Sequence, residues 1–237
     1  MKKNRRKPKP KTFAENVSSS WVAFKKQIFG EFDDWFKKCR GIIHVGANEG
    51  QERRQYAELG LNVLWIEPIP NVYEKLCKNI EEYPRQRALK ALVTDQENKI
   101  VTLNISSNAG ASSSIYDFAL HKDIWPDVTY VDRIEISSTT LPALILEEGV
   151  HLPDYDGLLL DTQGSEYLIL KGAQTILNRF KYIQVEAADF ESYKGAATTA
   201  QITDFLKSNG FRPVRKHKFA EHASEGAYYD LLFKLRG

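Results

Sequence analysis

The sequence predicts an α/β fold, with a mostly parallel central sheet and helices on both of its faces. Short apolar runs alternate along the chain with segments of helical periodicity, which is the pattern of successive β-α-β units. Several of these runs end in a glycine-containing turn or a carboxylate, as at Gly46 and Asp161. The chain finishes with two strand candidates joined by a glycine-containing link, which indicates an antiparallel hairpin.

Each element follows from a local pattern. Continuous apolar runs predict buried strands at Ile42–Val45, Leu61–Glu67, Ala88–Thr94, Gly157–Asp161 and Tyr182–Glu186. Alternation of apolar and polar residues predicts half-buried strands at Lys99–Ile105 and Tyr130–Ser137, and the final hairpin at Phe211–Lys216 and Ala227–Lys234. Apolar residues three and four apart predict helices at Gln51–Leu59, Asn71–Ile80, Leu141–Glu148, Tyr167–Leu177 and Ile202–Ser208.

The charge of the chain is unevenly distributed. Its 237 residues hold 33 basic and 31 acidic groups, a net charge of +2. Residues 1–12 contain seven of the basic groups and no acidic one, so the remainder carries a net charge of −5. We therefore expect a disordered basic arm at 1–12, an amphipathic helical extension at 13–40 and the main domain at 41–237. The arm either attracts nucleic acid, anionic lipid or an acidic partner, or is a solvated tail.

The composition also excludes several classes of protein. Cys39 and Cys77 are far apart and belong to no cysteine–histidine cluster, so we expect neither a disulfide framework nor a structural zinc site, and whether a metal ion assists the reaction is left open. No apolar run approaches the roughly 18 residues of a membrane-spanning helix. The basic start is not followed by the apolar segment of a signal peptide, so we expect a cytoplasmic location.

Two strand ends carry the first candidate binding residues. Gly46 and Gly50 flank a strand-to-helix turn, but the run GANEG lacks the third glycine that a nicotinamide or flavin pyrophosphate site needs. Glu67 ends the second strand 17 residues later, where a carboxylate accepts hydrogen bonds from the ribose of an adenosine ligand. The plainer alternatives are a tight turn and a solvated carboxylate. Asp161 likewise either pairs with a ligand or caps the helix that follows it.

Four segments of the chain, in this order and spacing, resemble the FkbM family of S-adenosylmethionine-dependent methyltransferases. They are VGANEG (Val45–Gly50), WIEPIPNVYEKLCKN (Trp65–Asn79), DTQGSEYLILKGA (Asp161–Ala173) and IQVE (Ile183–Glu186). The stretch HVGANEGQERRQY and the later SYKG (Ser192–Gly195) resemble one subgroup of the family. The resemblance implies a Rossmann-like class I methyltransferase fold with a seven-stranded sheet. It also implies S-adenosylmethionine as cofactor and methyl transfer to a hydroxyl of a small molecule, a sugar or a glycan.

The resemblance further implies roles for individual residues. Gly46, Ala47, Asn48 and Gly50 would line the methionine part of the cofactor, Glu67 with Pro68 would hold the ribose, and Val93, Thr94 and Asp95 would flank the adenine. Asp161 and Glu166 would face the transfer centre. One departure is His44, which stands where the family usually has an aspartate two residues before the first glycine. Either Asp161 supplies the missing negative charge, or the cofactor is held more weakly.

The reaction with a hydroxyl needs a group that removes its proton. Asp161 is the first candidate, followed by Glu186 and His44, although His44 is equally well explained as a packing residue at a strand end. The polar segment 106–126 is long for a loop in a compact domain, which is typical of lids and binding loops. Its residues Asn108, Ser112, Ser113 and Ser114 offer donors and acceptors for a hydroxylated acceptor, or form a merely flexible loop.

Two other functions compete with this interpretation. A nucleic-acid methyltransferase docked by the basic arm is disfavoured because the body is acidic, and because DTQG occupies the place of the Asn/Asp-Pro-Pro-Tyr/Phe motif. A non-catalytic binding module on the same fold would have a blocked cofactor pocket, and the set Gly46, Gly50, Glu67 and Asp161 argues against it. The oligomeric state and the identity of the acceptor are left open by the sequence.

Overall fold

The strands and helices described here come from a computed structural model that describes residues 33–237. In chain order the strands are β1 (Gly41–Val45), β2 (Asn62–Ile66), β3 (Gln86–Leu89), β4 (Leu92–Val93), β5 (Ile100–Ser106), β6 (Tyr130–Thr139), β7 (Gly157–Leu160), β8 (Tyr182–Ala188), β9 (Phe211–His222) and β10 (Gly226–Leu235). The α-helices are α1 (Arg53–Glu58), α2 (Pro70–Ile80), α3 (His121–Ile124), α4 (Leu141–Glu147), α5 (Glu166–Gly172) and α6 (Thr199–Ser208). Short 3₁₀ helices span Asp33–Lys38, Leu152–Asp154 and Gln174–Arg179.

Seven of these strands form one sheet in the order β3-β2-β1-β7-β8-β10-β9. The first five in this order run parallel to one another. β10 then pairs antiparallel with β8, and β9 pairs antiparallel with β10 over ten registered residue pairs. The predicted mostly parallel sheet of seven strands with a C-terminal antiparallel hairpin is therefore confirmed.

The two faces of the sheet are covered by different helices. Alternate residues of one strand enter opposite clusters: Leu158 and Leu160 of β7 pack with α4, α5 and α6, whereas Leu159 packs with α1 and α2. Since successive side chains of a strand point to opposite faces, this division places helices on both sides of the sheet. The predicted three-layer arrangement is confirmed.

A second, smaller sheet lies beside the first. β5 and β6 pair antiparallel along their whole length, and β4 pairs parallel with the end of β6. The strand predicted at Ala88–Thr94 is in fact two strands, because β3 joins the large sheet and β4 turns away to join the small one. The helix predicted at Tyr167–Leu177 also breaks, since α5 ends at Gly172, where a side chain would collide with the backbone of Thr94 and Asp95.

The predicted N-terminal regions lie mostly outside the described residues. The arm at 1–12 and positions 13–32 of the helical extension are not part of the described range. Within the extension, Trp35 and Phe36 of the 3₁₀ helix are buried against the α1–α2 face of the sheet. The last turn of the extension therefore packs on the main domain.

Candidate functional site

A cavity of about 730 Å³ opens at the carboxyl ends of the parallel strands β1, β2 and β7. This is where ligands bind in open α/β sheets. Its wall includes residues that the sequence singled out: His44, Gly46, Ala47, Asn48, Glu67, Pro68, Val93, Ser113 and Asp161. Strands that are separated in sequence thus bring most of the predicted cofactor residues to one cavity.

The turn after β1 crosses the end of β7 at very close range. Gly46 has a φ of +84°, and a Cβ atom at this position would overlap the carbonyl oxygen of Asp161. The N–H groups of Gly46 and Ala47 both donate to the carbonyl oxygen of Ile66, at 3.0 and 3.1 Å. Glycine is therefore required at position 46 both by the left-handed conformation and by the lack of space.

Glu67 is fixed by two backbone N–H groups at the end of β2. Its Oε2 accepts a hydrogen bond from the N–H of Asn48 at 2.9 Å, and its Oε1 accepts one from the N–H of Ile69 at 2.9 Å. Burial raises the pKa of Glu67 to about 7, while the two N–H donors oppose the rise. Each carboxylate oxygen keeps a further lone pair, so the group can still accept hydrogen bonds from a ligand in the cavity.

The side chain of Gln163 organises the turn after β7. The backbone of this residue has a φ of +56°. Its Nε2 donates to Oδ1 of Asp161 at 2.7 Å and to Oε1 of Glu186 at 3.0 Å. Its Oε1 accepts from the hydroxyl of Tyr193 at 2.7 Å. One amide thus joins the carboxylates at the ends of β7 and β8, and Tyr193 fixes the orientation of that amide.

Glu166 does not face the cavity. Its Oε1 accepts from the N–H of Thr162 at 2.7 Å and from the Thr162 hydroxyl at 3.1 Å, and its Oε2 accepts from the N–H of Gly164 at 3.0 Å. It is buried, and burial raises its pKa to about 7. These contacts hold the turn that carries Asp161, and Glu166 is not among the residues that line the cavity.

Because Glu67 and Glu166 both have a raised pKa, the stability of the ligand-free protein should depend on pH. A carboxyl whose pKa is about 7 when folded and 4.5 when unfolded binds more protons in the folded state between these values. The free energy of unfolding should therefore fall as pH rises through this interval, by about 2–3 kcal/mol for each of the two carboxyls. Urea denaturation at pH 5 and pH 7.5 measures it. The fall should be smaller in Glu67→Gln, and an identical fall in both proteins would contradict the assignment.

The other two candidate bases lie behind Asp161. Glu186 and His44 share with Asp161 a small recess of about 20 Å³. His44 is buried, with its ring centre 5.0 Å from that of Trp65 and its Nδ1 3.3 Å from the hydroxyl oxygen of Tyr56. These contacts support the packing interpretation of His44, although the residue also lines the main cavity.

The polar loop after β5 is ordered by hydrogen bonds among its own residues. Asn108 donates to Oγ of Ser112 at 3.0 Å and accepts from the hydroxyl of Ser106 at 2.6 Å. The hydroxyl of Ser114 donates to the carbonyl oxygen of Gln163 at 2.7 Å. Of the four predicted acceptor-binding residues, Ser113 lines the cavity, whereas Asn108, Ser112 and Ser114 hold the loop in shape.

Three predicted cofactor residues lie outside the cavity wall. A Cβ atom on Gly50 would meet Cδ1 of Leu76 at 2.7 Å, so this glycine allows α2 to pack against the turn. The hydroxyl of Thr94 donates to the carbonyl oxygen of Gln96 at 3.1 Å. Asp95 pairs with Lys171 at the surface, at 2.9 Å.

Several wall residues were not identified from the sequence. Apolar ones come from the second sheet and its approaches, as Leu92, Leu103 and Ile115 do. The loop contributes Gly110 and Ala111 beside the predicted Ser113. Polar ones follow the two turns and are Gln51, Glu52, Arg53, Arg54, Gln55, Glu58, Thr162, Gln163 and Ser165. Thr162, Gln163 and Ser165 lie inside the segment Asp161–Ala173 that resembles the family, so the resemblance could have identified them.

Residues 44–213 match the profile of the methyltransferase FkbM domain. The chain belongs to the FkbM methyltransferase family. Membership confirms the predicted family and the predicted enzyme class, a methyltransferase. Comparison with curated proteins gave no match.

Comparison with solved structures finds other methyltransferases that are similar to this FkbM protein. The O-methyltransferase NcsB1 from neocarzinostatin biosynthesis was crystallised with S-adenosylmethionine and 2-hydroxy-5-methyl naphthoic acid. It is 8% identical with a TM-score of 0.51, and the match covers 94% of this chain and 57% of NcsB1. The magnesium protoporphyrin IX methyltransferase of Synechocystis PCC 6803, with bound S-adenosylmethionine, is 10% identical with a TM-score of 0.48, covering 97% of this chain and 87% of that one. At such identities the likeness to NcsB1 shows the fold alone.

Among residues 33–237, no group of three or more His, Cys, Asp or Glu side chains is arranged to hold a metal ion. In the same part of this FkbM protein, no helix has both the length and the apolar character needed to cross a membrane.

Proposed function

We propose that this FkbM protein is an O-methyltransferase that moves a methyl group from S-adenosylmethionine to a hydroxyl of a small molecule, a sugar or a glycan. The observation that carries this proposal is the carboxylate of Asp161. It lies on the cavity wall directly beside the Gly46 turn, and Gln163 holds its orientation through the 2.7 Å hydrogen bond.

The residues of the cavity fit the cofactor in their chemistry. Glu67, fixed by two N–H donors, has lone pairs for the ribose hydroxyls. The buried side chains of Leu92 and Val93 offer an apolar wall for the adenine. Asp161 supplies a negative charge near the Gly46 turn, where His44 stands in place of the usual aspartate. These residues would hold the adenosine and methionine parts of the cofactor.

The bound cofactor supplies a methyl group on a sulfonium, which is already a strong electrophile, so alignment and proton removal are left to the protein. We assign proton removal to Asp161, which lines the cavity and accepts a hydrogen bond from Nε2 of Gln163. Gln163 keeps this carboxylate in place by donating to it and to Glu186 at once. Glu186 lies behind this amide and is our second candidate, and His44 is the third.

Calorimetric titration with S-adenosylmethionine tests the cofactor site. The wild type should bind, and Glu67→Gln should bind about 10- to 100-fold more weakly. The reason is that an amide loses the charge and sets an N–H against one of two backbone donors, at about 1.5–3 kcal/mol. Glu49→Gln is the matched control, because Glu49 pairs with Lys75 at 2.9 Å outside the cavity wall. Absence of binding by the wild type would refute the proposal, and unchanged affinity of Glu67→Gln would refute the role of Glu67.

The acceptor can be found by mass spectrometry. The protein and S-adenosylmethionine carrying a deuterated methyl group are incubated with an extract of the source organism, and products that gain the labelled methyl are identified. A label on an oxygen of a small molecule or glycan is the expected result. A label on nitrogen, carbon or a nucleic-acid base would refute the O-methyl assignment.

The competing functions receive less support. A non-catalytic module would be expected to have a blocked pocket, whereas this cavity is open and keeps Gly46, Glu67 and Asp161 on its wall. A nucleic-acid methyltransferase would take its acceptor into the same cavity, where Glu52, Glu58, Glu67 and Asp161 outnumber Arg53 and Arg54. The cytoplasm is our proposed location, in keeping with the unpaired cysteines Cys39 and Cys77.

A further inference from the structure

A second depression, of about 450 Å³, lies at the other end of the large sheet, where the parallel strands begin, and is lined mostly by cations. We call it the basic groove and define it by six side chains: Arg40, Arg179, Lys181, Arg212, Lys234 and Arg236. Asp156 is the one acidic side chain among its lining residues. The catalytic cavity and the methyl-transfer proposal make no use of it.

The topology explains why these residues meet. Lys181 directly precedes β8, Arg212 lies near the start of β9, and Lys234 lies near the end of β10. Lys234 is registered with Tyr182 on one side and with Arg212 on the other, so the three strands bring their cations side by side. Arg40 precedes β1 and completes the row. The parallel strands start here and end at the cavity, so the seven residues of β8 separate the two by about 20 Å.

Most of the charge in the basic groove is not neutralised. Asp156 is used by Arg40, whose N–H and Nε lie 2.7 and 3.4 Å from its two oxygens. Arg179, Arg212, Lys234 and Arg236 form no ion pair with any residue of the described range 33–237. Five of the six cationic residues are exposed. These cationic side chains repel one another, and an anionic ligand would stabilise them.

We propose that the basic groove binds the phosphodiester backbone of a nucleic acid. Four of its six cations are arginines, whose planar guanidinium groups match phosphate oxygens in a bidentate way. The row extends from β1 to β9 across five neighbouring strands, or about 19 Å. This length exceeds a single phosphate and suits several successive ones. Because cations are six of the ten lining residues and Asn178 is the one uncharged polar side chain among them, we expect the contact to be mainly to the backbone and independent of sequence.

The shape and surroundings of the basic groove favour a nucleic-acid strand over a lipid bilayer as its partner. The cations line a depression, whereas a membrane surface contacts a flat or convex face. Binding in a membrane interface also uses large apolar side chains next to the basic ones. The strongly exposed apolar residues of the described range are Ile100, Val131, Leu146 and Val214, and none of them lines the basic groove.

The basic arm of residues 1–12 lies outside the described residues and adds seven cations to the same chain. The rest of the chain has an acidic excess, so a polyanion is directed to this edge and away from the cavity.

Fluorescence anisotropy of the full chain with a labelled, mixed-sequence 20-nucleotide single-stranded RNA tests this proposal. The variant Arg179→Gln, Arg212→Gln, Arg236→Gln removes three exposed cations from the groove. The control variant Lys90→Gln, Lys99→Gln, Arg133→Gln removes three exposed cations elsewhere. We expect the groove variant to bind about tenfold or more weakly at 100 mM salt, with a log–log salt slope reduced by about 2. The control should stay within about twofold of the wild type.

The alternatives give different results. Equal weakening in the two triple variants would show a mere net-charge effect and overturn the proposal. A groove variant that binds RNA like the wild type would assign all binding to the arm. Loss of binding to vesicles with 30% phosphatidylglycerol in the groove variant, with RNA binding kept, would make the partner a membrane. Thermal unfolding and S-adenosylmethionine titration, both expected to be unchanged, show that the groove variant is folded whatever happens to RNA binding.

Discussion

Replacing Asp161 with asparagine should lower methyl-transfer turnover by about 10²- to 10⁴-fold, which is the usual contribution of a positioned general base. The amide keeps the size of the carboxylate and can still accept from Nε2 of Gln163, which lies 2.7 Å from Oδ1. The turn after β7 should therefore keep its shape. The cofactor should bind at most about 10- to 100-fold more weakly, a smaller loss than that of turnover, since one hydrogen bond to a charged group contributes about 1.5–3 kcal/mol. Turnover is measured with the acceptor found by mass spectrometry, and affinity by calorimetry.

The control for this experiment is Asp95→Asn. Asp95 was predicted from the resemblance to flank the adenine, but it lies outside the cavity wall in a surface pair with Lys171. Its replacement should change neither turnover nor affinity appreciably, because exposed ion pairs contribute about 0–1 kcal/mol to stability. If Asp161→Asn keeps full turnover, the base is another residue, with Glu186 the first to examine. If Asp95→Asn loses cofactor affinity, the adenine side of the cavity is wrongly placed.

Gly46→Ala should be the most damaging single substitution for the fold of the site. The added Cβ would overlap the carbonyl oxygen of Asp161, and the backbone at a φ of +84° disfavours any side chain. Neither the turn nor the end of β7 can move alone, because the N–H of Asp161 donates to the carbonyl oxygen of Val45 at 3.0 Å. We expect a loss of about 3–5 kcal/mol in the free energy of unfolding, in the range of the most disruptive substitutions. Cofactor binding should be lost with it.

Gly149→Ala separates the effect of the positive φ from the effect of the steric overlap. Gly149 also has a positive φ, of +60°, but a Cβ there would meet no atom within 4 Å. This variant should lose only the conformational part, about 1–2 kcal/mol, and should bind the cofactor normally. Urea denaturation of both variants makes the comparison. Equal losses would mean that the close approach of Gly46 to Asp161 is not tight in solution.

The buried strands were the most predictable part of the fold, for a physical reason. A strand covered on both faces must be apolar along its whole length, as Gly157–Leu160 is, and such runs stand out between polar turns. The division of Ala88–Thr94 into β3 and β4 could not be predicted, because the predicted run takes one apolar pair from each strand, Ala88-Leu89 and Leu92-Val93, and only their partners differ. Partner choice is decided by distant residues, here β2 for one piece and β6 for the other.

The site was predictable where backbone geometry dictates the residue. Gly46 must be glycine, and Glu67 must accept two N–H groups, so both carried recognisable signals. The presence of a polar side chain in a loop was a poorer guide to whether the residue binds a ligand. Asn108 and Ser112 have the donors and acceptors of a binding loop, but those groups are occupied by the loop itself. Gln163 escaped notice because its importance lies in contacts with Glu186 and Tyr193, which are 23 and 30 residues away.

The long final hairpin has a consequence for how the protein behaves at high concentration. β9 is the outer strand of the sheet, twelve residues long, and one side of its backbone pairs with no described strand. Such an edge invites the strand of another molecule to add to it, which leads to aggregation. Pro213 removes one N–H donor from this edge, and the exposed cations Arg212, Lys216 and Lys218 make two copies repel each other. At the opposite edge of the sheet, β3 is only four residues long, which limits the pairing that another strand could make with it. The strand that contributes Arg212 to the basic groove thus also protects the sheet against self-association.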